Sequence, residues 1–392
     1  MVTPSNSPLR VTGYSMLSAL GSTREEHLDA LAAGRTGLGA PPMPLPFSTA
    51  VGEVKGTLPE LPAELGTRST RIARMAAALV EGIDEELRRA RERWRPGRIA
   101  VLLGTSTAGA ETTERAYKTF VKDGAFPERY DFKRQHTFGA VLHVVRALAG
   151  AKGPSWMAST ACTSSGKPFA SAARLIDAGV IDAAVVGGLD TLCTMTLMGF
   201  QALQALDYEP CRPFHPDRGG ISIGEGGSLA LVERSGDARV LVTGVGETSD
   251  AYHISAPHPE GRGALSAMKS AMAQAGLSPE DIDHVNAHGT GTRLNDTAEA
   301  KAISSLMPAE TPVVSTKGYT GHTLGAAAAI EFGFSAYVVE EGWIPPSIGA
   351  DPVDPEISLT IPRAKTSGAF RRVLSNSFAF GGNNVSLLVE AP

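Results

Sequence analysis

The chain has 392 residues, 42% of them hydrophobic and 20% charged, with a formal net charge of −5. That length exceeds the usual single core, so it implies two domains or a duplicated unit. The composition excludes a disordered chain, and the acidic balance disfavours a general nucleic-acid binder.

Three cysteines, Cys162, Cys193 and Cys211, support neither a disulfide framework nor a compact metal knuckle. A reducing cytosol fits that usage. No apolar stretch reads as a membrane span: the best, Gly325 to Val339, is too short and carries Glu331. No basic-then-apolar leader opens the chain. The expected location is cytoplasmic.

In chain order, Arg10 to Ser15 reads as a strand, and Ser22 or Thr23 caps a helix running through Leu31 to a stop at Gly34. Residues 40–66 are proline-rich and read as a long surface loop. A helix is predicted from Arg68 to Arg93, studded with arginines that fit a solvated face. Arg98 to Thr105 is a short apolar strand. Strand, turn, helix and strand follow over 156–188, the pattern of a βαβ unit. From Ala238 the α/β grammar restarts: a strand at Arg239, a helix over Gly263–Ala275, a strand at Ile282 and another at Val313. A small-residue helix over Leu324–Val339 and two closing strands at Arg372 and Asn384 complete it. The simplest account is a duplicated α/β fold with halves 1–236 and 237–392.

Three places carry chemistry-bearing residues. Cys162 sits where a strand hands over to a helix, followed by Thr163, Ser164, Ser165 and Gly166, with Pro168 marking a helix start. A helix N-terminus favours a thiolate; the alternative is a small buried hydrophobe. His288 and His322 each follow a predicted strand in a glycine- and threonine-rich loop. They are either structural histidines or a functional pair; a zinc site is a further reading, with no H-x-x-H or paired-cysteine spacing behind it. The loop Ser375–Asn384, with Phe378 and Phe380, forms either an apolar gate or an ordinary glycine turn. Phosphate-loop patterns are absent. A cysteine nucleophile with two neutral imidazoles suits thioester chemistry: the thiolate takes an acyl group, and the N–H groups polarise a second thioester carbonyl.

Taken together, Thr-Ala-Cys162-Thr-Ser-Ser, His288-Gly-Thr-Gly-Thr and Lys317-Gly-Tyr-Thr-Gly-His322 resemble the motifs of β-ketoacyl-[acyl-carrier-protein] synthases of the decarboxylating Cys-His-His class, in the thiolase superfamily. The stretches beginning at Arg212, Ser249 and Asn376 extend the resemblance over nearly the whole chain. It implies a thiolase-like pair of α/β halves in a layered αβαβα sandwich. It also implies that Cys162 holds the acyl chain, while His288 and His322 bind the malonyl carbonyl and promote loss of carbon dioxide. Lys317, with Glu331, would organise the site. Phe380 would be the gate, and the N–H groups of Cys162 and Phe380 the oxyanion hole. No cofactor or metal is implied. The implied partners are an acidic acyl carrier protein, docking on Arg68, Arg71 and Arg74, and a second synthase-like chain in a homodimer or heterodimer.

The chain also departs from the family. Lys167 stands where histidine is frequent, and is read either as an ion-paired structural residue or as the far end of the acyl pocket. Ala379 replaces a glycine, His215 and Gly219 replace acidic residues, and 104–138 differs from housekeeping fatty-acid synthases. Polyketide or polyene elongation therefore stands beside fatty-acid elongation. The rivals are a non-catalytic chain-length-factor-type subunit, which lacks the cysteine, and a thiolase, which needs a second cysteine near its C-terminus.

Overall fold

A computed structural model describes residues 7–392; the first six, on which the expected lack of a leader rests in part, lie outside it. Ten strands carry the architecture. They are β1 (Leu9–Leu17), β2 (Ile99–Gly104), β3 (Ser155–Ala158), β4 (Ala183–Asp190), β5 (Gly226–Glu233), β6 (Val240–Ser249), β7 (His284–Asn286), β8 (Val313–Val314), β9 (Arg372–Phe378) and β10 (Asn383–Glu390).

Counted outward from the middle, one side of the sheet runs β1-β5-β4-β2-β3 and the other β6-β10-β9-β7-β8. Each strand of the second set takes the place of the strand five earlier. The pairings repeat as well: the two nearest the middle are antiparallel and the two outermost parallel. A short antiparallel contact, Leu9 with Val242, joins β1 to β6.

Helices sort into layers around these strands. Ala327–Glu341 packs on β1, β5, β9 and β10, strands of both sides, and Lys167–Asp177 packs on β2, β4 and β6. These two helices form a middle layer. Arg71–Glu81 and Phe138–Ala149 cover the first set from outside, and Arg262–Ala275 covers the second. Three large apolar cores result, because strands buried on both faces alternate their side chains between layers. On β2, Ala100 and Leu102 enter the middle core while Ile99, Val101 and Leu103 enter the outer one. The third core lies under Arg262–Ala275 around Met268 and Leu374.

Local chemistry explains most boundaries. Thr23 caps Arg24–Ala32 in a reciprocal box with Glu26. Gly342 ends the helix at Glu341 in the left-handed region. Two expectations are corrected. The predicted helix from Arg68 to Arg93 is three pieces, Ala63–Arg68, Arg71–Glu81 and Asp84–Arg93, because Thr70 caps a fresh helix and Gly82 ends it. The loop 40–66 is not simply surface: Val51–Gly52 pairs with Ile223–Gly224, and Val54, Leu58 and Leu61 are buried. No described helix is long and apolar enough to cross a membrane.

Candidate active site

Cys162 follows β3 in a tight turn. Ala161 adopts φ +52°, and Ser164 Oγ donates to its carbonyl at 2.6 Å while accepting from Thr160 N–H at 2.9 Å. A non-glycine residue held in that region is strained and must be over-determined by its surroundings. The helix begins at Lys167, with Pro168 in its first turn, so Cys162 lies in the turn ahead of it and not at the helix N-terminus itself. Burial pushes its thiol up to about 11, outweighing the pull of the Lys317 charge and of the N–H groups of Cys162 and Phe380. A resting thiol replaces the expected thiolate, because desolvation of the sulfur exceeds the local positive potential.

His288 and His322 come from the loops after β7 and β8. Ring nitrogens of the two and the Cys162 sulfur all lie within 4.8 Å of one another, and the imidazoles meet edge to face at 5.2 Å. Their tautomers follow from their neighbours. Lys317 Nζ, which only donates, lies 3.1 Å from His288 Nδ1, and Leu324 N–H donates to His322 Nδ1 at 3.0 Å. Both Nδ1 atoms are therefore acceptors, so both Nε2 atoms carry hydrogen and are the nitrogens left free to serve the cluster.

Cys-His-His is a metal-type donor set, yet a metal needs bare Nε2 lone pairs, and these donors fix the opposite tautomer. The arrangement fits an anion or a carbonyl oxygen.

Lys317 is enclosed by His288 Nδ1, the His288 carbonyl and the Glu331 carboxylate. Its three hydrogens meet three acceptors. Lys317 and Glu331 are both buried; burial pushes Glu331 up to about 7 while Lys317 draws it back. Ser377 Oγ donates to the other Glu331 oxygen at 3.3 Å.

Two residues that sequence reasoning missed hold the His288 loop. Glu299 accepts the N–H groups of His288 and Gly289, both at 2.8 Å. Asp296 accepts those of Thr290 and Gly291 at 2.9 and 3.2 Å and faces buried Arg218. The signal is two carboxylates three apart, just after a glycine-rich loop whose amides need acceptors.

Burial holds both His288 and His322 well below the usual imidazole value, and the Lys317 ammonium adds to the effect. A histidine lowered in this way is neutral at its ordinary pKa and protonates only well beneath it. Between about pH 8 and pH 6 neither imidazole should therefore titrate, so a step in carbon dioxide release near pH 7 would belong to a carboxylate such as Glu331, pushed up to about 7, and should disappear in Glu331→Gln. A step that persists in that variant would show freely titrating imidazoles.

A cavity of ≈ 870 Å³ leads from Cys162, His288 and His322 past Thr290, Thr292 and Phe380 to a mouth bordered by Leu203 and Leu294. Phe380 is 42% exposed and its ring lies 6.0 Å from Phe200. Gly381 and Gly382, at φ +82° and +74°, make the turn that brings the Phe380 N–H to the sulfur.

Other expected site residues lie elsewhere. Lys167 does not line this cavity; its Nζ pairs with Glu247 Oε1 on β6 at 3.3 Å. Arg71 is committed inward, gripping buried Glu225 and the Val54 carbonyl. Arg74 holds the carbonyls of Leu58 and Pro59, and Glu60. Of the expected carrier-docking trio, Arg71 and Arg74 thus hold the 54–60 loop, and Arg68 is uncommitted to it. Arg71→Ala leaves Glu225 unpaired in the interior. It should cost about 3–5 kcal/mol of stability, seen as a lower melting temperature, with unchanged KM for carrier-bound substrate in the folded fraction.

Residues 6–238 match the model of the beta-ketoacyl synthase N-terminal domain, and residues 240–351 match that of its C-terminal domain. The chain belongs to the β-ketoacyl synthase family. It is an acyl-transferring condensing enzyme with a thiolase-like fold. It is 37% identical over 312 residues to 3-oxoacyl-[acyl-carrier-protein] synthase 2 of Staphylococcus aureus, covering 75% of this chain and 77% of the relative. Nodulation protein E of Rhizobium meliloti (strain 1021) is 32% identical over 96% of this chain and 97% of its own. Among solved structures, a chain of the complex of a ketosynthase (ApeO) with its chain length factor (ApeC) from Xenorhabdus doucetiae superposes with a TM-score of 0.93, at 35% identity and with full coverage of both chains.

Proposed function

We propose that the protein joins an acyl group held on Cys162 to malonyl carrier protein by decarboxylative Claisen condensation. The observation that carries this reading is the convergence of two neutral Nε2–H donors on one cysteine sulfur at the inner end of a deep channel. In the first step the Cys162 sulfur attacks an acyl thioester, and the thiol proton passes to the departing carrier sulfur, which leaves as the free thiol. Malonyl thioester then enters, and its thioester oxygen lies against His288 and His322. Loss of carbon dioxide places charge on that oxygen, where the two N–H groups stabilise the enolate. The enolate carbon attacks the acyl-Cys162 carbonyl, whose oxygen meets the N–H groups of Cys162 and Phe380, and the cysteine thiolate departs. Lys317, held by Glu331, fixes the His288 tautomer throughout. Phe380 opens and closes the channel.

The halves are taken as 1–236 and 237–392, supported by the offset of five in strand order; the first half supplies Cys162 and the second both histidines. The second chain of a dimer would cover an apolar region. Tyr117, Phe120, Phe126, Phe132 and Phe138 are exposed, and the outer edge of β3 is unpaired among the described strands. A heterodimer with a chain-length-factor-type subunit is favoured by the likeness to a chain of the ketosynthase and chain length factor complex. The intact Cys162 gives this chain the catalytic place in such a pair. The setting is cytoplasmic biosynthesis of fatty-acid-like, polyketide or polyene chains.

Incubation with malonyl carrier protein and a panel of acyl carrier proteins tests the reading. Mass spectrometry should show carrier-bound products longer by one two-carbon β-keto unit. Acyl exchange with no elongated product would refute it.

A further inference from the structure

Behind the cysteine–histidine cluster, β7 and β8 run in parallel, with Asn286 opposite Val314. Asn286 lies two residues before His288, and Thr316 lies immediately before Lys317. Both side chains are fully buried, at 2% and 3% exposure. Asn286 Nδ2 donates to the Glu331 carbonyl at 3.1 Å. A carbonyl only accepts, so the amide orientation is set and Oδ1 faces the other way. Oδ1 has no hydrogen-bond partner among the described residues, and neither has Thr316 Oγ1. Thr316 precedes the short helix Lys317–Thr320 without capping it through its side chain.

Asn286 and Thr316 line one buried cavity between these strands and the helix Ala327–Glu341. His284 lines it too. Its Nδ1 sits 2.9 Å from the Pro312 carbonyl and donates to it, so Nε2 is an acceptor. The remaining walls are mostly apolar, including Val314, Phe334, Val338 and Trp343. The cavity offers ≈ 10 Å³ to the centre of a water-sized sphere, close to the least that holds one molecule.

We propose that this cavity is a binding site for one fixed water molecule, which ties the strand leading to His288 to the strand leading to Lys317. The hydrogen-bond inventory closes. Water donates to Asn286 Oδ1 and His284 Nε2 and accepts from the Thr316 hydroxyl. Three bonds are the usual number for a buried water, and such a molecule is costly to remove. No apolar occupant satisfies the two orphaned oxygens, and no larger polar one fits. Asn286 and Thr316 are thereby positioning residues: through the water they hold the backbones that place the His288 ring and the Lys317 ammonium.

A crystal structure of the full chain, at a resolution that shows ordered waters, tests the site. A single peak is expected about 2.6–3.2 Å from both Asn286 Oδ1 and Thr316 Oγ1; featureless density there overturns the site. Thr316→Val keeps the side-chain shape and removes the hydroxyl, while Thr316→Ser keeps the hydroxyl. In the valine variant, carbon dioxide release should fall about three- to tenfold, the size of one neutral hydrogen bond. Loading of Cys162 by a short acyl thioester should hold, and serine should restore release. Equal losses of loading and release, or wild-type release by the valine variant, would overturn the tether. The catalytic consequence, though not the water, rests on the function proposed above. Turnover of the unaltered chain is measured alongside, so that failure of that reading shows separately from failure of the site.

Discussion

Cys162→Ala is expected to abolish acyl loading and condensation together. The sulfur lies at the end of the channel, against two imidazole edges and the N–H groups of Cys162 and Phe380. No second thiol is placed to substitute. Cys193 is buried, with its sulfur 3.3 Å from Thr196 Oγ1, and the Cys211 thiol is buried and donates to the Lys317 carbonyl at 3.4 Å. Neither lines the cavity. The loss should be complete for loading, because the covalent step has no other nucleophile. Intact-mass analysis after incubation with an acyl thioester checks it, and an acyl adduct on the alanine variant would sink the assignment. Carbon dioxide release from malonyl thioester should persist in that variant, because both histidines remain. The turn itself should survive, since Ala161 keeps its conformation through Thr160, Ser164 and their hydrogen bonds.

His288→Ala and His322→Ala should lower carbon dioxide release by about 10²–10³ each, the usual loss for one donor to a developing oxyanion. Cys162 acylation should suffer much less, because its oxyanion meets backbone N–H groups. The two variants should also differ from one another. His322 takes only the Leu324 N–H at its far nitrogen, so its removal deletes one donor cleanly. Removing His288 also strips one acceptor from the buried Lys317 ammonium and should lower the melting temperature as well. Single-turnover assays on pre-acylated enzyme separate the two steps. Normal carbon dioxide release by either variant would refute its role.

Much of the fold is legible in the chain itself. The capped first helix, the short apolar strands and the restart of α/β order after Ala238 all follow from local propensity and periodicity, which act within a few residues of sequence. The departures have local causes too, but ones decided by distant partners. The arginines of 68–74 read as a solvated face because nothing nearby opposes them. Glu225, which takes Arg71, comes from a distant turn ahead of β5. The β5 strand itself gives no periodic signal, because its glycine-rich start and full burial leave no alternation to detect.

Residue kinds and their order are set in the sequence alone: one cysteine in a strand-to-helix turn, two histidines in glycine-rich loops, and a lysine fourteen residues before a glutamate. These choices define which chemistry is available. The protonation of those groups is a property of the folded chain. The Cys162 thiol is raised because the fold removes water from it, and both imidazoles stay neutral for the same reason. Their Nε2 atoms carry the hydrogens because Lys317 and Leu324 supply donors to the opposite nitrogens. A tautomer depends on which atoms lie about three ångströms away, and for His288 that atom belongs to a residue 29 positions along the chain.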